Sequence, residues 1–193
     1  SNCAAKASLE LGMAYRTQKD YEHAIEAFKN TITAYTGSEE AYSALEGLEQ
    51  IYVETNNINE YIAYTKQLTH INMHQVSSED SLVYVTAELQ YMLGNHQQAA
   101  AGFTTYLTSF CPGGRYCTNA TYYAANSFYQ LKQFEEAIAQ YSALADIQGN
   151  PYIEEACMRV AELSYDKQEY RTALYYFQRM SEVASSNSKR TTA

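Results

Sequence analysis

One pattern recurs along this 193-residue chain at a nearly constant interval, and that repetition limits what the chain can fold into. KDYEHAIEAF at 19–28, KQFEEAIAQY at 132–141 and QEYRTALYYF at 168–177 are near copies of one another. Taking the position three places after Tyr21, Phe134 and Tyr170 as an anchor aligns Ala24, Tyr61, Ala99, Ala137 and Ala173, at steps of 37, 38, 38 and 36 residues. Four places further on stands Phe28, Phe103, Tyr141 or Phe177, with Thr65 in the second unit. An i, i+4 pair lies on one face of a helix. Just before each anchor comes a turn: Lys19-Asp20-Tyr21, Asn56-Asn57-Ile58, Gly94-Asn95-His96, Lys132-Gln133-Phe134 and Gln168-Glu169-Tyr170. Their Asp, Asn and Gly residues suit helix ends. Upstream of the turns lies a second helical pattern, as in Leu11-Gly12 with Tyr15, Leu48 with Tyr52 and Ala124-Ala125 with Phe128. Each unit therefore reads helix, turn, helix, and a period of this size marks an α-solenoid whose hairpins bury their apolar faces only against neighbours.

Those residues resemble the tetratricopeptide repeat. Leu11-Gly12, Tyr15, Ala24 and Phe28 fall on that family's Leu-Gly, Tyr, Ala and Phe positions, and Ala124-Ala125, Phe128, Ala137 and Tyr141 take the same places. The likeness implies an all-α fold, a right-handed superhelix of about five hairpins, with units near 5–41, 42–79, 80–117, 118–153 and 154–190 of a single domain. The period exceeds the family's usual 34 or so, which implies longer connecting turns. The polar end SSNSKRTTA carries no capping helix, so the expectation is a segment of a longer array with uncapped ends able to self-associate. The run YLTSFCPGGRYCTNATYYAANSFYQLKQF is also similar to repeats of bacterial cell-envelope tetratricopeptide proteins, which implies a periplasmic or envelope location, with the cytoplasm as the alternative.

Charge narrows the partners. A net charge of −9 disfavours a nucleic-acid backbone or an anionic membrane surface, and no apolar run is long enough for a membrane span. Tyrosine is the compositional outlier, twenty against six Phe and no Trp, so many aromatic positions call for a ring with a wettable edge. In the resembling family the first helix of each hairpin lines the concave face. The corresponding registers carry Tyr84, Tyr122 and Met158; Glu88, Asn126 and Glu162; and Tyr91, Tyr129 and Tyr165. Two readings stand side by side: tyrosines filling gaps between hairpins, or a solvent-facing groove with aromatic walls and an acidic floor. The alternation with Glu and Asn favours the groove, since those groups are costly to bury unpaired. Acidic residues in these registers, among them Glu46, Glu54, Glu155 and Asp166, with Lys6 and Arg16 confined to the first unit, predict a neutral or basic peptide carrying apolar or aromatic side chains.

Other motifs offer less. Cys111 and Cys117 flank a Pro-Gly-Gly turn that either closes a disulfide or simply joins two hairpins with free thiols. His70 and His74 have i, i+4 spacing but no acidic partner, and read as a solvated helix end. No metal set, phosphate loop or nucleophile accompanies Glu88 and Glu162, so no cofactor is implied and enzymatic chemistry is disfavoured. The sequence thus predicts a non-enzymatic protein-interaction scaffold, with a structural spacer as the alternative.

Overall fold

The computed structural model describes residues 2–68, 77–147 and 149–191. Ten helices and no strand appear among them: α1 (Asn2–Thr17), α2 (Tyr21–Ala34), α3 (Glu39–Glu54), α4 (Ile58–Thr65), α5 (Glu79–Met92), α6 (His96–Phe110), α7 (Cys117–Gln130), α8 (Phe134–Asp146), α9 (Ile153–Asp166) and α10 (Tyr170–Thr191). They alternate as first and second helices of five hairpins, as the period requires. His70 and His74 lie outside the described residues. The chain packs as two compact units, residues 1–89 and 90–193, with the division inside α5.

The same turn closes every hairpin. Its first residue stands in the left-handed region, at Lys19 (φ 60), Asn56 (φ 58), Gly94 (φ 77), Lys132 (φ 59) and Gln168 (φ 63). The following N–H then reaches back over the helix end, from Asp20 to the Tyr15 carbonyl (3.0 Å), Asn57 to Tyr52 (2.9 Å), Asn95 to Gln90 (2.9 Å), Gln133 to Phe128 (2.9 Å) and Glu169 to Ser164 (2.8 Å). This is a Schellman-type closure, which satisfies carbonyls that the helix leaves orphaned. Only Gly94 takes the left-handed conformation without a Cβ penalty.

In the first unit the core is built on Phe28, which is fully buried. Its ring lies between two helices at their glycines: a Cβ at Gly12 of α1 would stand 2.6 Å from it, and one at Gly47 of α3 would stand 2.7 Å away. Gly12 and Gly47 are there because nothing larger lets both backbones close on the ring. Thr31, also buried, donates to the Ala27 carbonyl (2.9 Å) and shares a 2.8 Å hydrogen bond with Ser8. In the short α4, Tyr61 at the anchor position is buried and its hydroxyl donates to Glu49 Oε2 (3.4 Å). Burial raises the Glu49 carboxyl above the usual carboxylate range, partly offset by hydrogen bonds from Ser77 and Tyr61.

The second unit repeats the arrangement with polar variations. Ala99, Ala137 and Ala173 are buried at their anchors. Phe103 stacks on Tyr123 of α7 (centroids 5.5 Å apart), and Tyr141 is sealed in a cluster with Ala156, Cys157, Val160 and Leu163 of α9. Between α6 and α7, Cys111 and Cys117 are joined in a disulfide, the first of the two alternatives the sequence left open. The loop is further pinned by the Tyr116 N–H, which donates to the buried Tyr106 hydroxyl (2.9 Å). Phe177 departs from the pattern: it is 40% exposed where Phe28, Phe103 and Tyr141 are fully covered.

Two outcomes check this packing. Gly94→Ala should lower stability by about 1 kcal/mol, while Lys132→Gly should raise it by about half that, because only the alanine creates left-handed strain; paired urea midpoints measure both. Gly47→Ala should cost about 1–3 kcal/mol, since the Phe28 ring is already held on its far side by Gly12. An unchanged thermal midpoint for Gly47→Ala would refute that assignment.

Candidate functional site

The nine groove positions do not share one environment. In the first unit Tyr84 is only 3% exposed, and its hydroxyl donates to Glu88 Oε1 (2.8 Å). The expectation of a solvent-facing ring fails there, because the side chain is long enough to bury its body while its hydroxyl still finds a carboxylate one turn on.

In the second unit α7 and α9 bring most of the remaining residues together. Asn126, 8% exposed, is not a groove-floor group either. Its Oδ1 accepts from the Tyr141 hydroxyl (2.9 Å) and its Nδ2 donates to the Tyr122 carbonyl (3.2 Å). Both functions of its amide are consumed inside the fold. Tyr122 stacks on Tyr152 with ring centroids 3.9 Å apart and planes 10° from parallel, and its hydroxyl donates to Glu155 Oε2 (2.9 Å). Burial, then the hydrogen bond to Glu155, push the Tyr122 phenol up to about 12. Tyr91 packs against Tyr123 (4.9 Å), and burial raises its phenol too. Three of the expected groove residues are thus engaged in packing between helices.

The open part of the face lies further along the same helices. Tyr165 is 59% exposed and meets Tyr170 edge-on at 5.4 Å. Together with Tyr129, Glu162, Leu163, Asp166 and Phe177 it lines a concavity of about 370 Å³. Met158 is half-buried on α9 and does not line it. The sequence reading missed Arg159. Its guanidinium sits 4.8 Å from the Tyr129 ring centroid and its Nη1 is 3.2 Å from Glu162 Oε2. Arg159 stands one place after the Met158 register, outside the three groove registers, and so adds a cation that those registers do not include. The available signal was a single arginine beside Met158 on a helix that opens with Glu154 and Glu155. Asp166 keeps the open rim acidic, and no group of three or more His, Cys, Asp or Glu residues able to hold a metal occurs among the described residues.

The fold defines a class: within each unit, antiparallel helical hairpins pack one against the next. Residues 6–38 match the family model for the tetratricopeptide repeat. That match shows one tetratricopeptide repeat, at residues 6–38 of the chain. Among solved structures, "Crystal structure of MamA protein" is similar at TM-score 0.51 and 17% identity, covering 98% of this chain and 96% of that one. "Crystal structure of MamA" gives TM-score 0.52 and 18% identity over 93% and 97% of the two chains. At such identity the likeness is one of fold. No curated protein matches the sequence. No described helix is long and apolar enough to cross a membrane.

The raised phenol of Tyr122 has a directional consequence. A folded-state value above the unfolded one of about 10 favours the neutral phenol, so its stabilising contribution is complete below about pH 10 and is lost as pH rises through about 12. Tyr122→Phe should therefore lose less stability than the parent between about pH 9 and pH 11.5, as read from urea midpoints at each pH. An identical loss in both proteins would contradict the assignment.

Proposed function

We propose that this protein is a non-catalytic protein-interaction scaffold whose second unit captures a neutral or basic peptide, extended or helical, on the open face of α7 and α9. The observation that carries this reading is the concavity around Tyr165, where exposed rings adjoin Glu162 and Asp166. Exposed aromatic surface rimmed by polar groups is the usual mark of a recognition site. A lysine or arginine of the partner can lay its aliphatic stem along Tyr165 and Phe177 and direct its charge to Asp166 and Glu162. An acidic segment would meet those carboxylates unpaired. Arg159, occupied by Glu162 and Tyr129, fixes the geometry of the wall.

The Cys111–Cys117 bond supports an oxidising compartment, the periplasm or cell envelope, over the cytoplasm. A structural-spacer role draws support from Tyr91 and Tyr122, whose rings serve packing.

A peptide-array screen against the purified chain decides between them. Basic, aromatic-containing peptides should bind best, weaken with added salt, and lose about tenfold in affinity on Tyr165→Ala or Asp166→Asn. Preference for acidic peptides, or indifference to both substitutions, would overturn the groove and leave the spacer.

A further inference from the structure

One arrangement recurs at the hairpin turns of the second unit without being needed by its core. A tyrosine near the end of each first helix meets an aromatic ring at the start of the second helix, across the turn. Tyr91 meets His96 at 5.6 Å, Tyr129 meets Phe134 at 6.0 Å and Tyr165 meets Tyr170 at 5.4 Å. The pairs share nearly one geometry, with ring planes 68°, 60° and 66° apart. In the first unit the same two registers hold Arg16 with Tyr21 and Val53 with Ile58, so the aromatic pair belongs to the second unit. A ring that served only the core would be covered. Phe134 is 37% exposed although α6 packs before its hairpin and α9 after it, so its openness comes from its place at a turn. Tyr170 is exposed as well. Tyr91 also packs on Tyr123, which leaves Tyr129–Phe134 and Tyr165–Tyr170 as two open aromatic corners. Because α7 to α10 alternate in direction, both corners lie on one edge of the unit.

The interval between the corners selects a conformation. The helices α7 and α9 touch directly, through Arg159 at the Tyr129 ring (4.8 Å) and the Tyr122 hydroxyl on Glu155 (2.9 Å). Helices in such contact stand about 8–10 Å apart, and the corners repeat at that distance. A polyproline II segment rises about 3.1 Å per residue with three residues per turn, so its positions i and i+3 face one way about 9 Å apart. A β-strand sets same-side residues about 6.6 or 13 Å apart and misses the interval. A helix spans it only over two turns, and its carbonyls are already paired. The carbonyls of polyproline II are free to accept from the hydroxyls of Tyr129, Tyr165 and Tyr170. Glu162 and Asp166 line the concavity that Tyr129 and Tyr165 share, so a lysine or arginine beside the prolines is matched in sign.

We propose that the partner of this face is a proline-rich segment in the polyproline II conformation. Prolines three residues apart sit in the Tyr129–Phe134 and Tyr165–Tyr170 corners, and a neighbouring basic residue reaches Glu162 and Asp166. The proposal rests on the α7–α9 face being the partner surface, and it selects the extended form of peptide over the helical one. Proline fits because its ring packs on aromatic surface and because a segment already ordered as polyproline II loses little entropy on docking.

Fluorescence anisotropy of the 193-residue chain with two labelled peptides of identical composition tests this. One carries proline at every third position with lysines between; the other holds the same residues with the prolines out of step. The in-step peptide should bind about tenfold more tightly. Phe134→Ala and Tyr170→Ala, each confirmed as folded by circular dichroism, should each erase that preference. Equal affinity for the two peptides, or a preference that survives both substitutions, would overturn the polyproline II assignment. In that case weaker binding of both peptides by Tyr165→Ala and Asp166→Asn would leave the groove itself standing. Failure of every basic peptide to bind, in step or out of step, would overturn both.

Discussion

The structure depends on one recurring contact, an aromatic ring from the second helix of a hairpin pressed onto the first helix of the hairpin that follows. Phe28 shows it at its tightest, held between the glycines of α1 and α3. Burying such a ring is worth about 1.5–3 kcal/mol relative to leaving it in water. No hairpin can gain that alone, because the second wall belongs to its neighbour. The chain therefore repeats its sequence for a physical reason: each copy is a ring looking for the next helix. Tyr141 adds a variation, since its hydroxyl must be satisfied in the dry interior and Asn126 is placed to accept from it. The repeated turn serves the same contact by fixing where the second helix starts.

Much of the fold was legible because the contact leaves a mark on sequence at a fixed interval. Ala24, Ala99, Ala137 and Ala173 announced where helices approach, and they are buried. The turns were legible as positions, although Lys19, Lys132 and Gln168 in left-handed conformation were not, since those residues carry no preference for it. Tyr61 and Thr65 in the second unit look like breaks in the pattern, yet both are buried at their registers. The Tyr61 hydroxyl that the larger anchor brings in is met by Glu49, which a register alone does not foretell.

The site was legible in outline and blurred in detail. Register says which side of a helix a residue faces, but not how far neighbouring side chains reach over it. Tyr84 and Asn126 fall in the right registers and are nevertheless covered, the one folding back to Glu88 and the other drawn inward by Tyr141. Tyr122 is held by Tyr152, from the connection before α9, which no helical periodicity includes. Tyr129, Glu162 and Tyr165 remain around one concavity, joined by Arg159, whose charge is balanced locally by Glu162. The disulfide loop could be weighed only as two alternatives from spacing, because six residues of chain permit both a bonded and an unbonded turn.

The claim that the α7–α9 face is the partner surface can be tested most directly by hydrogen exchange of the chain alone and with its best peptide bound. Added protection at the end of α9 and along α7, around Tyr129, Glu162 and Tyr165, is the predicted result. Protection confined to other helices, with this face exchanging as in the free protein, would contradict it.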